Sequence, residues 1–491
     1  MVLTKQRQSL YINGEWLATS SSEAVIDPAN GSVFAEAPVA NADHVEAALS
    51  AAREAFDAGP WPKMSQKARQ AKVAEFLDAI ERRAGDIVPL IIEESGSLQM
   101  LAQFMQFSLP LQQSRYLLEV ANRPAVTPLP VDVVPNMQGT HSLASAVLSR
   151  EPVGVVVAIT PYNVPFLTNV CKSAAAMLVG CTVILKPSPY TPFEALVLGE
   201  IADEVGLPKG VLNVVNGGVD VGTRLTSDKR VDMITFTGSD RVGAAIQAQA
   251  APTLKRVVLE LGGKSALIVC ADADISKAAS AGFGGITTHC GQGCVLLTRH
   301  LVHNSIRQKY VSTLIEMLAG VKIGDPNDAS TTMGPLIRED ARARTERYVD
   351  IAKSEGARLV TGGRRPPHLK QGFYYEPTLF DDVSNNSRIA QEEVFGPLAV
   401  VIGFDTEEEA ISLANDTEYG LSGAVYSANI GRAYEIALQM RTGGVTVNTG
   451  FAQLTRNAPF GGIKRSGHGR EYGEIGLNEF TYVKTVDFTT T

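Results

Sequence analysis

The strongest constraint on how this chain can fold is the rhythm that begins at Val153. Short β-branched runs, VGVVVAIT (153–160), TVILK (182–186), VLNVV (211–215) and DMITFT (232–237), alternate with stretches of helical spacing. Runs this apolar cannot leave one face in water, so each strand must be covered on both sides by helices. That requirement selects a parallel, doubly wound sheet, which takes ligands beyond the carboxyl ends of its strands. A second series, SALIVC (265–270), ARLVTG (357–362), PLAVVIGF (397–404), SGAVYS (422–427) and GVTVN (444–448), with a helix over Glu407–Asn415, predicts a second α/β domain. VVLEL (257–261) and SALIV stand back to back across Gly262-Gly263, which places the boundary between the two near Lys255.

Upstream, residues 41–58 and 65–83 carry apolar residues at helical spacing, opened by the capping types Asn41 or Asp43 and Ser65. Pro124, Pro128, Pro130 and Pro135 break any helix between Ala121 and Thr140, so Thr127–Val134 reads as an extended edge segment or a projecting arm. No repeat of solenoid period appears.

A chain of 491 residues, 45% hydrophobic and 20% charged, has room for about three domains and a large core without staples. This composition excludes disulfide scaffolds, collagen and disordered tails. The formal charge of -8 gives no electrostatic ground for binding nucleic acid or an anionic membrane. The first ten residues lack an apolar core for a signal peptide. Pro152–Cys171, the longest uncharged stretch, is interrupted by Pro161, Asn163, Pro165 and Asn169, so no membrane span is predicted. Cys171, Cys181, Cys270, Cys290 and Cys294 are an odd, sparse set, which suits reduced thiols in the cytoplasm. A small-molecule enzyme is the leading class.

Two motifs are decoys. LGGKS (261–265) resembles the end of a phosphate-binding P-loop, but the required earlier glycine is Val258. His289, Cys290, Cys294, His300 and His303 offer zinc-ligand types, yet their spacing is not that of a structural site, and no metal is expected. More telling is THCGQGCVLLTR (288–299), where Cys294 follows Gly291-Gln292-Gly293, a turn whose amides can form a nest for a thiolate. The plain alternative is that a cysteine here is an inert small hydrophobe. Glu260 interrupts an apolar strand just before two glycines; a strand Glu is usually solvated, but at a close backbone approach it suits a general base with a raised pKa. Asn163, in AITPYNVPF (158–166), is either a turn residue or an amide donor to an oxyanion.

TPYNVP (from Thr160), KPSPYTP (186–192), ITFTGS (234–239), LELGGKS (259–265), GQGC (291–294), EEVFGP (392–397) and PFGGIKRSGHGRE (459–471) stand in the order found in the aldehyde dehydrogenase superfamily, and this resemblance spans nearly the whole chain. It implies a three-domain α/β fold. A Rossmann-like dinucleotide domain would cover 1–122 and 147–255, an α/β catalytic domain 256–463, and a β bridging arm for oligomerisation 123–146 and 475–491. It also implies Cys294 as nucleophile, Asn163 as oxyanion donor, Glu260 as hydrolytic base, and Lys172 with Glu471 as a proton relay.

For the cofactor, the resemblance implies Lys186, with Thr160, Ser188 and Pro189, at the adenosine ribose, Gly238 and Ser239 at the pyrophosphate, and Glu393 with Phe395 at the nicotinamide ribose. Strict NAD enzymes of this family commonly carry Glu where this chain has Pro189, so NAD is expected with NADP tolerated. Residues carried over to the substrate tunnel, Val164, Cys171, Gly293, Val295 and Phe460, are small or apolar. With no Lys or Arg among them, they point to an uncharged, hydrophobic aldehyde of aromatic or terpenoid kind. Cys290 is expected to pack rather than to act as a redox partner. A homodimer or homotetramer is expected, since arm strands usually pair with another subunit. The competing readings are a coenzyme A-acylating dehydrogenase, which has no use for a water-activating base, and a non-catalytic structural member of the family.

Overall fold

The computed structural model describes residue 5 and residues 7–124, 126–135, 137–450 and 455–490. Residues 1–4 and 491, the ends of the expected dinucleotide and arm spans, lie outside the described residues. Three sheets organise the molecule. The first runs, edge to edge, Glu15–Ala18, Ser9–Ile12, Leu212–Val214, Thr182–Lys186, Val155–Ile159, Met233–Thr237, Arg256–Glu260, Gly467–His468. Its middle strands, from Leu212–Val214 to Arg256–Glu260, are all parallel, and the outer pairings are antiparallel. Val155–Ile159 and Thr182–Lys186 are buried at every position, as a sheet covered on both faces requires. Chain order reverses between Val155–Ile159 and Met233–Thr237, so the crevice for a ligand lies at Thr160–Val164 and Gly238–Ser239.

The second sheet runs Arg358–Thr361, Thr378–Asp381, Leu398–Phe404, Leu297–His303, Ser265–Val269, Gly423–Tyr426, Thr446–Val447, parallel except at its first pair. The change of sheet falls later than Lys255. Arg256–Glu260 pairs in register with Met233–Thr237 in the first sheet, and Ser265–Val269 begins the second, so the crossing is made at Leu261–Lys264. Hydrophobic pattern marks a strand but not its hydrogen-bond partner, which is why the two adjoining runs looked like one domain.

The third sheet holds the segments expected to form the arm: His141–Pro152 pairs along its length with Thr481–Thr490, and its other edge takes Val126–Pro128 and Asp132–Pro135. The arm therefore reaches Pro152, beyond the expected 146, while Gly473–Glu479 is a helix that seats Leu477 in the first core. Upstream, the helix Ala42–Asp57 starts at Asn41, whose side chain accepts from the His44 amide at 3.0 Å while His44 Nδ1 accepts from the Asn41 amide at 3.2 Å. Ser65 caps Gln66–Arg82 by a single bond, its hydroxyl accepting from the Ala68 amide at 3.3 Å. The helix Pro165–Val179 is apolar almost all round and buried from Pro165 to Leu178, which fixes the segment between Asn163 and Lys172 rigidly against the first sheet.

Candidate active site

Cys294 stands at the end of a tightly wound turn. His289, Cys290 and Gly291 have φ of 47°, 53° and 73°, left-handed conformations that cost about 1–2 kcal/mol for each residue with a side chain. Gly291 is obligatory, because a Cβ there would lie 2.0 Å from the Gly396 carbonyl oxygen. Gln292 pays for this geometry with four hydrogen bonds. Its backbone and side-chain N–H groups donate to the His289 carbonyl, each at 3.1 Å, its Oε1 accepts from the Ile337 amide at 3.0 Å, and its carbonyl accepts from Asn163 Nδ2 at 2.9 Å. A carboxamide nitrogen carries two protons, so Asn163 keeps one N–H for another acceptor.

Electrostatics hold the Cys294 thiol protonated in this state. Burial pushes it up to about 12, with the Glu393 and Glu260 carboxyls adding to the shift and the Cys294 and Val295 amides opposing it. The amides that favour the thiolate are those of Cys294 and Val295, not those of the Gly291-Gln292-Gly293 turn, where the Gln292 amide is spent on the His289 carbonyl. Glu260 ends the strand Arg256–Glu260, 2% exposed, and neither of its carboxyl oxygens has a hydrogen-bond partner among the described residues. Burial, then the Glu471 carboxyl, raises it well above the usual carboxylate range, opposed by Lys172 and Arg470. Such a group binds a proton readily.

The two glycines after it have separate reasons. A Cβ on Gly262 would come within 2.5 Å of Glu393 Oε2, and one on Gly263 within 2.3 Å of the Cys294 carbonyl oxygen. Glu393 in turn accepts from the Gly263 amide at 2.9 Å, and burial raises its carboxyl to about 7. Lys264, absent from the sequence reading, donates to the Glu392 carbonyl at 2.7 Å and is lowered to about 7 by burial.

Lys172, midway along Pro165–Val179, forms a buried ion pair with Glu471 and donates to Thr235 Oγ1 at 2.8 Å. Glu471 is held by two backbone bonds with Phe460, each 2.7 Å. A cavity lined by Ser114, Cys171, Lys172, Glu471 and Tyr472 adjoins the pair, and burial raises the Cys171 thiol. Tyr472 was also missed. Its ring lies 5.8 Å from that of Phe460, linking that residue to the Cys171 cavity, its φ is 61°, and burial raises its phenol, with Cys171, Glu471, Glu260 and Cys294 adding to the shift. Val295 adjoins Cys294 and Val164 precedes the helix Pro165–Val179, while half-buried Gly293 would set a Cβ 2.8 Å from Leu296 Cγ. Cys290 is fully buried in the second core; His300 bonds Leu297 and Tyr310, and His303 bonds Asp405. No cluster of three or more metal-binding side chains occurs among the described residues.

The crevice of the first sheet carries the other expected residues. Lys186 ends its strand 6% exposed, and its Nζ makes one hydrogen bond among the described residues, to the Pro187 carbonyl at 3.3 Å. Burial lowers it to about 8. Thr160 donates its hydroxyl to Asn169 Oδ1 at 2.7 Å and its amide to the Lys186 carbonyl at 3.2 Å, tying the two strand ends together. The Ser188 hydroxyl accepts from the Tyr190 amide at 3.2 Å, and Pro189 follows it without an N–H of its own. The Gly238 amide donates to the Glu260 carbonyl at 3.0 Å, and Ser239 caps the helix Asp240–Ala250 through a long 3.4 Å bond from Val242. Phe395, at φ 55°, sets its ring edge-on to Tyr162 at 6.0 Å. An under-bonded buried ammonium and a weakly capped helix start at the sheet's switch point fit a dinucleotide.

The switch point and the thiol turn meet through Asn163, which follows the strand Val155–Ile159 and bonds the Gln292 carbonyl at 2.9 Å. The chain belongs to the aldehyde dehydrogenase family, whose model matches residues 16–486. It is 40% identical to aldehyde dehydrogenase 1 of Tanacetum cinerariifolium, over 97% of this chain and 94% of that one. Its fold matches a Mycobacterium tuberculosis aldehyde dehydrogenase complexed with NAD+ (TM-score 0.91, 40% identity, 98% and 97% of the two chains). It also matches a betaine aldehyde dehydrogenase of Staphylococcus aureus in complex with NAD+ (0.92, 36%, 98% and 94%). No helix among the described residues is long and apolar enough to cross a membrane.

Proposed function

We propose that the enzyme oxidises an uncharged, hydrophobic aldehyde to its carboxylic acid, with Cys294 as nucleophile and Glu260 as base. The observation that carries this reading is the Glu260 carboxyl, buried, unpartnered among the described residues and proton-avid beside the thiol turn. Glu260 takes the Cys294 proton, and the thiolate sulfur bonds to the aldehyde carbon. The resulting oxyanion is met by the free N–H of Asn163 and the Cys294 amide, each such donor contributing roughly 3 kcal/mol. NAD, when bound, supplies the acceptor for the hydride that leaves this carbon. Glu260 first gives up the thiol proton outward through the Glu471–Lys172 pair and then takes a second proton from water; hydroxide adds to the thioester, the C–S bond breaks with its electron pair returning to the Cys294 sulfur, and the acid departs. The second proton passes from Glu260 to that sulfur, which restores the thiol and the carboxylate. An acylating enzyme would have no use for this base.

In this reading Lys186, with Thr160, Ser188 and Pro189, holds the adenosine ribose, Gly238 and Ser239 the pyrophosphate, and Glu393 and Phe395 the nicotinamide ribose. The first sheet acts as the dinucleotide unit and the second as the catalytic unit. Val164, Cys171, Val295 and Phe460 form the substrate walls; none of the four is Lys or Arg, and the Lys172 and Glu471 that share the Cys171 cavity neutralise each other as an ion pair. Exposed Tyr482, Val486 and Phe488, alternating on one face of the arm, support assembly as a dimer or tetramer. The all-free cysteines suit the cytoplasm.

A second reading has one observation behind it. The Phe460–Tyr472 aromatic pair beside Glu471 suits a cationic aldehyde, and relatives include a betaine aldehyde dehydrogenase. The deciding experiment is reduced-nicotinamide formation with aromatic, terpenoid, aliphatic and trimethylammonium aldehydes, without coenzyme A, and with Cys294→Ala as the null control. Preference for the aromatic or terpenoid members supports the first reading; preference for the ammonium member overturns it for the second.

A further inference from the structure

Gly262-Gly263-Lys264, which carries the chain from the first sheet to the second, grips the loop 392–395 at consecutive points. The Gly263 amide donates to Glu393 Oε1 at 2.9 Å, and the Lys264 ammonium donates to the Glu392 carbonyl at 2.7 Å, its one hydrogen bond among the described residues. The Glu392 carboxylate is taken by the Tyr348 hydroxyl at 2.6 Å and by Arg388 at 2.9 and 3.1 Å, so the crossing meets Glu392 through its backbone. Further along the loop Arg344, from the helix Glu339–Ser354, holds the Val394 carbonyl at 2.9 Å and the Phe395 carbonyl at 3.2 Å. Arg344 fixes the loop to that helix, whereas Lys264 ties it to the nucleophile's side. The Lys264 carbonyl accepts from Arg299 Nε at 3.0 Å, and Arg299 belongs to the strand Leu297–His303, which starts three residues after Cys294. Gly263, one residue before Lys264, is pressed so closely on the Cys294 carbonyl oxygen that a Cβ there would lie 2.3 Å from it. Lys264 itself is 3% exposed and lowered to about 7 by burial, with no carboxylate bonded to it. Stability does not account for such a lysine, since an apolar side chain filling the same space would serve the fold as well.

We propose that Lys264 is a positioning residue for the hydride step: by holding the Glu392 carbonyl it sets Glu393 at a fixed distance from Cys294. The inference rests on the reading that Glu393 holds the nicotinamide ribose. In that step the hydride leaves the carbon bonded to the Cys294 sulfur with its electron pair, the carbon is oxidised to the thioester and NAD is reduced. Its rate depends steeply on how closely the two reacting partners are held. The Cys294 side is fixed by the bonds of Gln292 to Asn163 and Ile337 and by the contact at Gly263. The nicotinamide side depends on Glu393, whose carboxylate has one hydrogen bond among the described residues, from the Gly263 amide. Lys264 supplies a second hold one peptide earlier, and a charged donor makes the firmer bond. With the Gly263 amide and Arg344 it also lowers the Glu393 carboxyl against the rise caused by burial, which favours the ionised acceptor.

The test is the pre-steady-state burst of reduced nicotinamide from the native enzyme, Lys264→Met, Lys264→Arg and Glu393→Gln. The substrate is whichever of benzaldehyde, hexanal and betaine aldehyde turns over fastest, with and without deuterium at C1. Calorimetry of NAD binding, the rate of Cys294 alkylation by iodoacetamide and urea melts accompany it. Lys264→Met is expected to slow the burst about tenfold, short of the roughly hundredfold of a 1 Å misplacement, and to enlarge the deuterium effect on it. NAD affinity, alkylation rate and urea midpoint should move little, because removing a desolvated cation offsets the bond lost with it. Lys264→Arg keeps a charged donor and should be faster than Lys264→Met. Three results overturn the proposal: a native burst and deuterium effect in Lys264→Met, a burst that falls only in step with the urea midpoint and alkylation rate, or a Lys264→Arg enzyme no faster than Lys264→Met. Should Lys264→Met not fold, Lys264→Gln, polar but too short to reach the carbonyl, is held to the same outcomes. Glu393→Gln separates the two levels of argument: if it leaves NAD affinity and the burst untouched, the placement of the nicotinamide ribose has failed. A slowed burst there, beside a native one in Lys264→Met, refutes only the positioning role.

Discussion

Gly263→Ala isolates the contact that joins the double glycine to the nucleophile. The added Cβ would sit 2.3 Å from the Cys294 carbonyl oxygen, with Leu421 Cβ at 3.3 Å blocking retreat. An unstrained carbon–oxygen contact is about 3.3 Å, so one partner must move by about 1 Å. The strand side is fixed by pairing of Ser265–Val269 on both edges, and the cysteine side by the bonds of Gln292, so neither gives way freely. Overpacking of this kind destabilises by about 1–3 kcal/mol, measurable as a lowered urea midpoint. Displacing the nucleophile by the same distance costs about 10²-fold in kcat/KM, or about 2.7 kcal/mol of transition-state stabilisation. Steady-state kinetics, NAD affinity and the rate of Cys294 alkylation by iodoacetamide report chemistry and binding separately. Gly85→Ala, where an added Cβ meets nothing within 4 Å, is the control and should leave all three unchanged. A Gly263→Ala enzyme within threefold of native in kcat/KM would refute the reasoning, since the close approach would then be irrelevant to where the thiol stands.

Glu260→Gln should accumulate an acyl-enzyme detectable by intact mass. In the native enzyme the hydrolytic rate should climb with pH through the raised Glu260 pKa, because only the ionised form accepts a proton, and this rise should be absent in the variant. Lys172→Met strands the Glu471 carboxyl, whose side chain is 10% exposed, and should lower stability by about 3–5 kcal/mol in urea melts, with Lys172→Met/Glu471→Leu recovering most of it. Pro189→Glu should lower the NADP-to-NAD ratio of kcat/KM several-fold, and an unchanged ratio would place the ribose elsewhere. Val486→Asp with Phe488→Asp should shift the enzyme to monomers in light scattering, and an unchanged mass would remove the arm from the assembly.

Residue type and local spacing determine what must be buried, so the largely apolar, fully buried strands at 155–159, 182–186 and 265–269, and the helices capped by Asn41 and Ser65, were legible in the sequence. The strand Leu297–His303 was not. Arg299 and His300 interrupt its apolar pattern, and they are tolerated only because Lys264, Leu413 and Ala414 carbonyls and Asn385 surround the guanidinium while Leu297 and Tyr310 meet the imidazole. Those partners come from distant segments. The ordered motifs likewise singled out Cys294, Glu260 and Asn163, but not the role of Gln292, whose side chain pins the turn through Ile337, nor Tyr472, whose setting depends on Phe460 and Cys171. Sheet membership of Arg256–Glu260 followed from hydrogen-bond partners, which no single run encodes. The sequence by itself determined the parallel α/β plan and the chemistry-bearing groups. Tertiary structure alone decided their protonation, because the burial and fields acting on Cys294 and Glu260 come from Glu393 and Glu471, far along the chain and adjacent only after folding.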